Sequence, residues 1–119
     1  MLNLRPVLFA GVALAGFALP LASHALDVDA ALALQRQNNC NKCHHMEREK
    51  EGPSFRKIAD KYKGKADATD KLVQHLTSSP KVKLADGTEE EHKVIATRPA
   101  KDMAQVKNLV EYILAQTKK

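Results

Sequence analysis

Cys40-Asn41-Lys42-Cys43-His44 is the stretch on which the reading of this chain turns. Two thiols separated by two residues, with a histidine directly after the second, form the C-x-x-C-H pattern of covalent c-type haem attachment. Each thiol can add to one haem vinyl group as a thioether, and the adjacent imidazole then meets the iron from one side. Cys40 and Cys43 are also the only two cysteines among 119 residues. Three other uses of the pair compete. A disulfide oxidoreductase wants its C-x-x-C after a strand in a βαβ setting, and the flanks here read as helix. A zinc site wants a second ligand pair at the usual spacing, which the chain lacks. A plain structural disulfide is the third. The haem reading is the strongest of the four.

Upstream, residues 1–25 read MLNLRPVLFAGVALAGFALPLASHA. One positive side chain, Arg5, precedes an apolar run from Val7 to Leu19, and Pro20 follows it. Ser23-His24-Ala25 then places small residues where a signal peptidase reads, so residues 1–25 are expected to be a cleaved signal peptide and residues 26–119 the working domain. The apolar run is short for a bilayer span of roughly 20 residues, so no membrane span is expected after cleavage. Export delivers the cysteines to the compartment where haem is attached, and the predicted location is the periplasm.

The leader also distorts the averages of 44% hydrophobic, 28% charged and 4% aromatic residues. Phe9 and Phe17 lie inside it, so the domain keeps only Phe55, Tyr62 and Tyr112. The length excludes a multidomain enzyme, and the composition excludes a collagen-like or low-complexity chain. The formal charge of +5 is interleaved with acids rather than clustered, which argues against a nucleic-acid protein. Three aromatic rings are few for a core, but a covalently held haem supplies a large flat apolar body. Without haem, residues 26–119 are expected to fold poorly.

Four helical stretches are legible. Asp27 or Asp29 can cap an Ala- and Leu-rich segment over 28–37. Ser54 can cap a short helix in which Phe55, Ile58, Ala59 and Tyr62 recur at i, i+3, i+4 and i+7, with Gly64 ending it. Asp67 or Thr69 opens a third, with Leu72, Val73 and Leu76 on one face and Pro80 closing it. The last carries the stripe Val106, Leu109, Val110, Ile113 and Leu114 behind Asp102. Between Ser78 and Lys101 no strong periodicity appears; a small hairpin pairing 82–84 with 94–96 around Asp86-Gly87 is the only strand signal.

With the motif and this order of parts in hand, the chain resembles the small bacterial class I cytochromes c over essentially all of residues 27–117. A helix runs into Cys40–His44, Gly52-Pro53 follows, then Phe55 and Lys61-Tyr62-Lys63-Gly64, a helix over 72–76, a ligand-bearing loop and a closing helix with Asn108-Leu109-Val110-Glu111-Tyr112-Ile113-Leu114. The resemblance implies an all-α, class I cytochrome c fold of about four short helices wrapped around one covalent haem c. It also implies that the carbonyl of Pro53 accepts a hydrogen bond from the proximal ligand His44. Such a contact fixes the tautomer and raises ligand basicity. A residue bonding a haem propionate is often found where His75 stands; Tyr62 and Arg98 are further candidates.

The pattern departs at the sixth ligand of the iron. The family usually places a methionine followed by proline in the loop before the last helix, and this chain has no Met-Pro. Met46 is too close to Cys43 to swing round the macrocycle, and Met103 sits in the constrained first turn of the last helix. His45 adjoins the proximal ligand and should point away from the iron. His92, in Glu89-Glu90-Glu91-His92-Lys93-Val94, lies roughly where the methionine loop should be and is the expected distal ligand; Met103 and an open site stay as alternatives. Exchanging Met for imidazole should lower the haem potential.

The function expected from this set is electron transfer by a periplasmic protein that carries one electron on haem c and is not itself an enzyme. A free shuttle and an electron-accepting subunit of a dehydrogenase complex are both open. Lys42, Lys50 and Lys57 are candidate docking charges for redox partners with acidic surfaces. A haem-based sensor with a displaceable distal ligand is the alternative, and carbon monoxide binding to the reduced protein separates the two. A peroxidase would need an open distal face with an acid–base residue, which nothing in the chain supplies.

Overall fold

Side-chain caps start three of the four helices in the computed structural model, which describes residues 25–118 together with Gly11 and Gly16. The reading of residues 1–25 as a leader therefore lies outside the described residues except at Ala25, Gly11 and Gly16. Helix α1 spans Val28–Gln37, and the Asp27 carboxylate accepts from the Ala30 N–H at 2.9 Å. Helix α2 spans Phe55–Tyr62, with the Ser54 hydroxyl accepting from the Lys57 N–H. Helix α3 spans Ala68–Thr77; its Asp67 makes no cap bond and instead pairs with Lys71 one turn on, at 3.0 Å. Helix α4 spans Met103–Leu114, and Asp102 accepts from the N–H groups of Ala104 and Gln105. Each cap satisfies donors that a helix start leaves without an intrahelical partner.

Helix α4 is the hub, since α1, α2 and α3 all pack on it. Val106, Leu109, Val110 and Ile113 of its apolar stripe are buried, with Tyr112 beside them. One cluster joins Leu109, Tyr112 and Ile113 to Ala31 and Leu34 of α1 and Phe55 of α2. The core is thin: among the described residues, the largest fully buried side chains are Leu109, Val106 and Val110. Cys40, Met46, Ile58 and Ile95 line it only partly buried, an apolar margin still open to cover. The N-terminal end is tied to α4 by two bonds between Asn108 and the backbone of Asp27, 2.9 and 2.8 Å long.

The segment between α3 and α4 is more ordered than its lack of periodicity predicts. Strands β1 (Lys81–Lys83) and β2 (Glu89–Glu91) form an antiparallel hairpin in the register Lys81↔Glu91, Val82↔Glu90, Lys83↔Glu89. The second strand is thus 89–91, not the apolar 94–96 expected from the sequence. Opposite charges face each other across the outer pairs, a favourable cross-strand arrangement that outweighs the low β-propensity of glutamate. Asp86 accepts from the Thr88 N–H and hydroxyl, and Gly87 takes the left-handed φ of +87° that the tight turn requires. Residues 94–96 form no strand and bond elsewhere. Ile95 N–H donates to the Leu76 carbonyl, and Ala96 pairs through both backbone groups with the side-chain amide of buried Asn38. An amide side chain at the end of α1 takes the place of a neighbouring strand.

Candidate functional site

The motif forms the corner between α1 and the loop that follows. Asn39 adopts a left-handed φ of 54°, and Cys40–Lys42 then make a single 3-10 turn. Backbone bonds from Cys43 N–H and His44 N–H to the Cys40 carbonyl close the corner. Cys40 and Cys43 are free thiols, each partly buried. Burial pushes both thiols above their ordinary pKa; at Cys43 the Glu51 carboxylate, bonded to the sulfur at 3.5 Å, and Glu90 act in the same direction. A reactive C-x-x-C works through a depressed, thiolate-favouring pKa, and this environment pushes the other way.

His44 is clamped from below by the turn at Gly52-Pro53. The Pro53 carbonyl lies 2.6 Å from Nδ1. A carbonyl only accepts, so Nδ1 carries the proton and Nε2 keeps its lone pair. Gly52 allows this approach: a Cβ there would stand 2.8 Å from His44 Cε1 and 3.1 Å from Nδ1. Phe55 adds a tilted ring contact at 5.3 Å. Burial lowers the pKa of His44, the Pro53 bond opposes that shift, and the nearby His92 adds to it. A neutral ring with a free nitrogen is a ligand ready for a metal. The sequence pointed to Pro53; Gly52 and Phe55 were missed as supports of the ring, although a glycine directly before that proline was a usable signal.

His92 faces this ring. The two imidazole centres are 6.3 Å apart, with planes inclined by 40°. The Nδ1 of His92 lies 2.9 Å from the Lys93 carbonyl, so here too Nδ1 is the donor and the Nε2 lone pair stays free. His75, from α3, lies edge-on to His92 at 4.7 Å and 62°. Its pKa is depressed by burial first, then by His92 and His44. Haem iron fits this arrangement. His44 and His92 would each offer an Nε2 lone pair to it, and a neutral imidazole nitrogen is the usual donor to such a metal.

The remaining candidates fall outside this pair. Met103 is the first residue of α4 and is 39% exposed. Met46 packs against the core cluster. His45 turns away, its Nδ1 accepting from the N–H groups of Glu47 and Arg48. Tyr62 carries Lys61 and Lys65 over its ring at 5.6 Å, and Arg98 is exposed. Among the candidate docking lysines, Lys50 donates to the Asn41 carbonyl and Lys57 pairs with Glu49, while Lys42 is exposed. No helix among the described residues is long and apolar enough to cross a membrane.

Comparison with known proteins gives the family and the fold. The sequence profile of the cytochrome c family matches residues 28–117. Among solved structures, the chain is similar to the class 1 cytochrome MtoD from Sideroxydans lithotrophicus ES-1. The identity is 54% over 77% of this chain and 98% of that one, with a TM-score of 0.72. Cytochrome c552 of Nitrosomonas europaea is similar at 27% identity, covering 71% of this chain and 98% of its own, with a TM-score of 0.57. Its N64 deletion mutant gives 26% and 0.55 over the same coverage. No curated protein matches the chain.

Proposed function

The chain belongs to the cytochrome c family and has the class I fold of a haem electron carrier, and from that premise we propose that it works as a periplasmic, bis-histidine monohaem carrier of single electrons. When bound, haem c supplies an iron that cycles between the ferric and ferrous states. Cys40 and Cys43 would hold the group covalently, with His44 as its proximal ligand and His92 as its distal ligand. Pro53 orients His44 through the 2.6 Å bond to Nδ1. The observation that carries this reading is the matched pair of imidazoles. Each has its Nδ1 committed to a backbone carbonyl, each keeps a free Nε2, and their centres stand 6.3 Å apart.

Two imidazole ligands would leave an iron no open position, which favours outer-sphere transfer over binding of a substrate. Rigid supports on both rings keep the ligands in place in either oxidation state, so little rearrangement accompanies each transfer. Imidazole in place of thioether also lowers the potential relative to Met-ligated relatives. Export is supported by the leader-like stretch over residues 1–25. Lys42 is the docking charge we assign for a partner with an acidic surface, because Lys50 and Lys57 already hold local partners.

Visible and near-infrared spectra of both redox states test the proposal. The expected result is a low-spin haem with no sulfur-to-iron band in the wild type, and a high-spin spectrum in His92→Ala. A low-spin spectrum unchanged by that substitution removes His92 from the iron.

A further inference from the structure

His92 belongs to no helix and no strand, yet its backbone N–H, its carbonyl and its ring Nδ1 are all held. Its N–H donates to the Pro80 carbonyl at 2.8 Å, and its carbonyl accepts from the Ser79 hydroxyl at 2.9 Å. Ser79 reaches it from a left-handed backbone, φ +52°, directly after α3. The Ile95 N–H donates to the Leu76 carbonyl, which docks the far side of the same loop on the same helix end. His75, one helical turn before Ser79, lays its ring edge-to-face against the His92 ring. The last turn of α3 and the residues just beyond it therefore touch the loop at His92 and after it.

We infer that His75 and Ser79 are positioning residues for the distal ligand: Ser79 fixes where the His92 backbone stands, and His75 fixes the direction in which its ring plane points. This rests on the reading of His92 as an iron ligand. An imidazole is placed by its backbone position and two side-chain torsions. The Ser79 and Pro80 bonds set the first. The Nδ1 bond to Lys93 fixes the tautomer but leaves the ring free to swing about that contact, and an edge-to-face neighbour on a rigid helix restricts the swing. A histidine serving only a propionate needs its own N–H, and its ring would be replaceable by another donor. One in ring contact with the ligand acts by shape.

The test uses the oxidised holoprotein by electron paramagnetic resonance, whose g-values follow the orientation of the axial ligand planes, and the reduced holoprotein by carbon monoxide binding. His75→Phe keeps a ring and removes the nitrogens; His75→Gln keeps a polar donor and removes the ring. The expected result is that His75→Phe retains the wild-type g-values while His75→Gln shifts or broadens them. Ser79→Ala should raise the rate of carbon monoxide binding about fivefold, the release expected from losing one neutral hydrogen bond. The reverse pattern, g-values kept by Gln and shifted by Phe, overturns the inference in favour of a propionate contact. Wild-type g-values in both His75 variants, or an unchanged carbon monoxide rate in Ser79→Ala, overturn the corresponding half. A sulfur-to-iron band in the wild type, or an unaltered His92→Ala spectrum, instead removes the ligand assignment beneath it. The two failures are thus told apart.

Discussion

His44 draws its supports from the stretch that follows it, while His92 draws its supports from the end of α3 and the two residues beyond its cap, on the far side of the hairpin. On the His44 side, Gly52 leaves room for the ring, Pro53 accepts its proton-bearing nitrogen and Phe55 lies against it. On the His92 side, Ser79, Pro80 and His75 converge from α3 across an intervening hairpin. The first arrangement is local and forms with its own loop. The second exists only once the hairpin has brought residues 92–95 back against the end of α3. A ligand of the first kind should be hard to remove without losing the site, and one of the second kind should detach while the fold stays.

The largest effect should come from the attachment itself. Replacing Cys40 and Cys43 by Ala should abolish covalent haem retention and most of the helical circular dichroism, because the thin core leaves an apolar margin uncovered. A fully helical, cooperatively melting haem-free chain would break the comparison at its root. Next come the two ligands. His44→Ala should prevent accumulation of haem-loaded protein. His92→Ala should yield a folded, high-spin holoprotein that binds carbon monoxide when reduced. Equal loss of holoprotein in both would show that the two sides are not held differently.

A smaller effect is expected at Gly52. Gly52→Ala drives a methyl to within contact of the His44 ring and should destabilise the holoprotein by about 1–3 kcal/mol, the usual range for overpacking. Thermal melting measures it, and a wild-type melting temperature would mean that the turn yields freely. The smallest concerns Asp102, far from both rings. Hydrogen bonds from the Gln105 side chain first, then from the backbone of Gln105 and Ala104, hold its carboxyl below the ordinary aspartate range. A depressed folded pKa gives stability that is present above the ordinary aspartate range and is lost as the pH falls through the folded value. Asp102→Asn should therefore flatten the acid limb of stability measured by denaturant melts between neutral pH and about pH 3, and leave the haem spectrum unchanged.

How legible each region was follows the same division. The C-x-x-C-H corner, the caps at Asp27, Ser54 and Asp102, and the α4 stripe all depend on residues within a few positions of one another, and each could be read directly. The Pro53 contact came from the family resemblance and not from spacing. Gly52 was visible only as a turn residue, since its need for a bare Cα arises from where the His44 ring lies. The hairpin was misplaced because apolar Val94-Ile95-Ala96 looked the better strand. Charge pairing of Lys81 and Lys83 with Glu91 and Glu89, and the side-chain partner Asn38, decided otherwise. His92 could be selected by the absence of Met-Pro, but its supports could not.

By itself, the order of residues determined the C-x-x-C-H corner, the four helices and the family, because those features rest on short-range spacing and on helical periodicity. Tertiary structure alone decided which ring faces His44, what holds that ring and where the hairpin pairs. These depend on backbone carbonyls and side chains brought together from distant positions, and a carbonyl's partner leaves no mark in the identity of the residue that carries it.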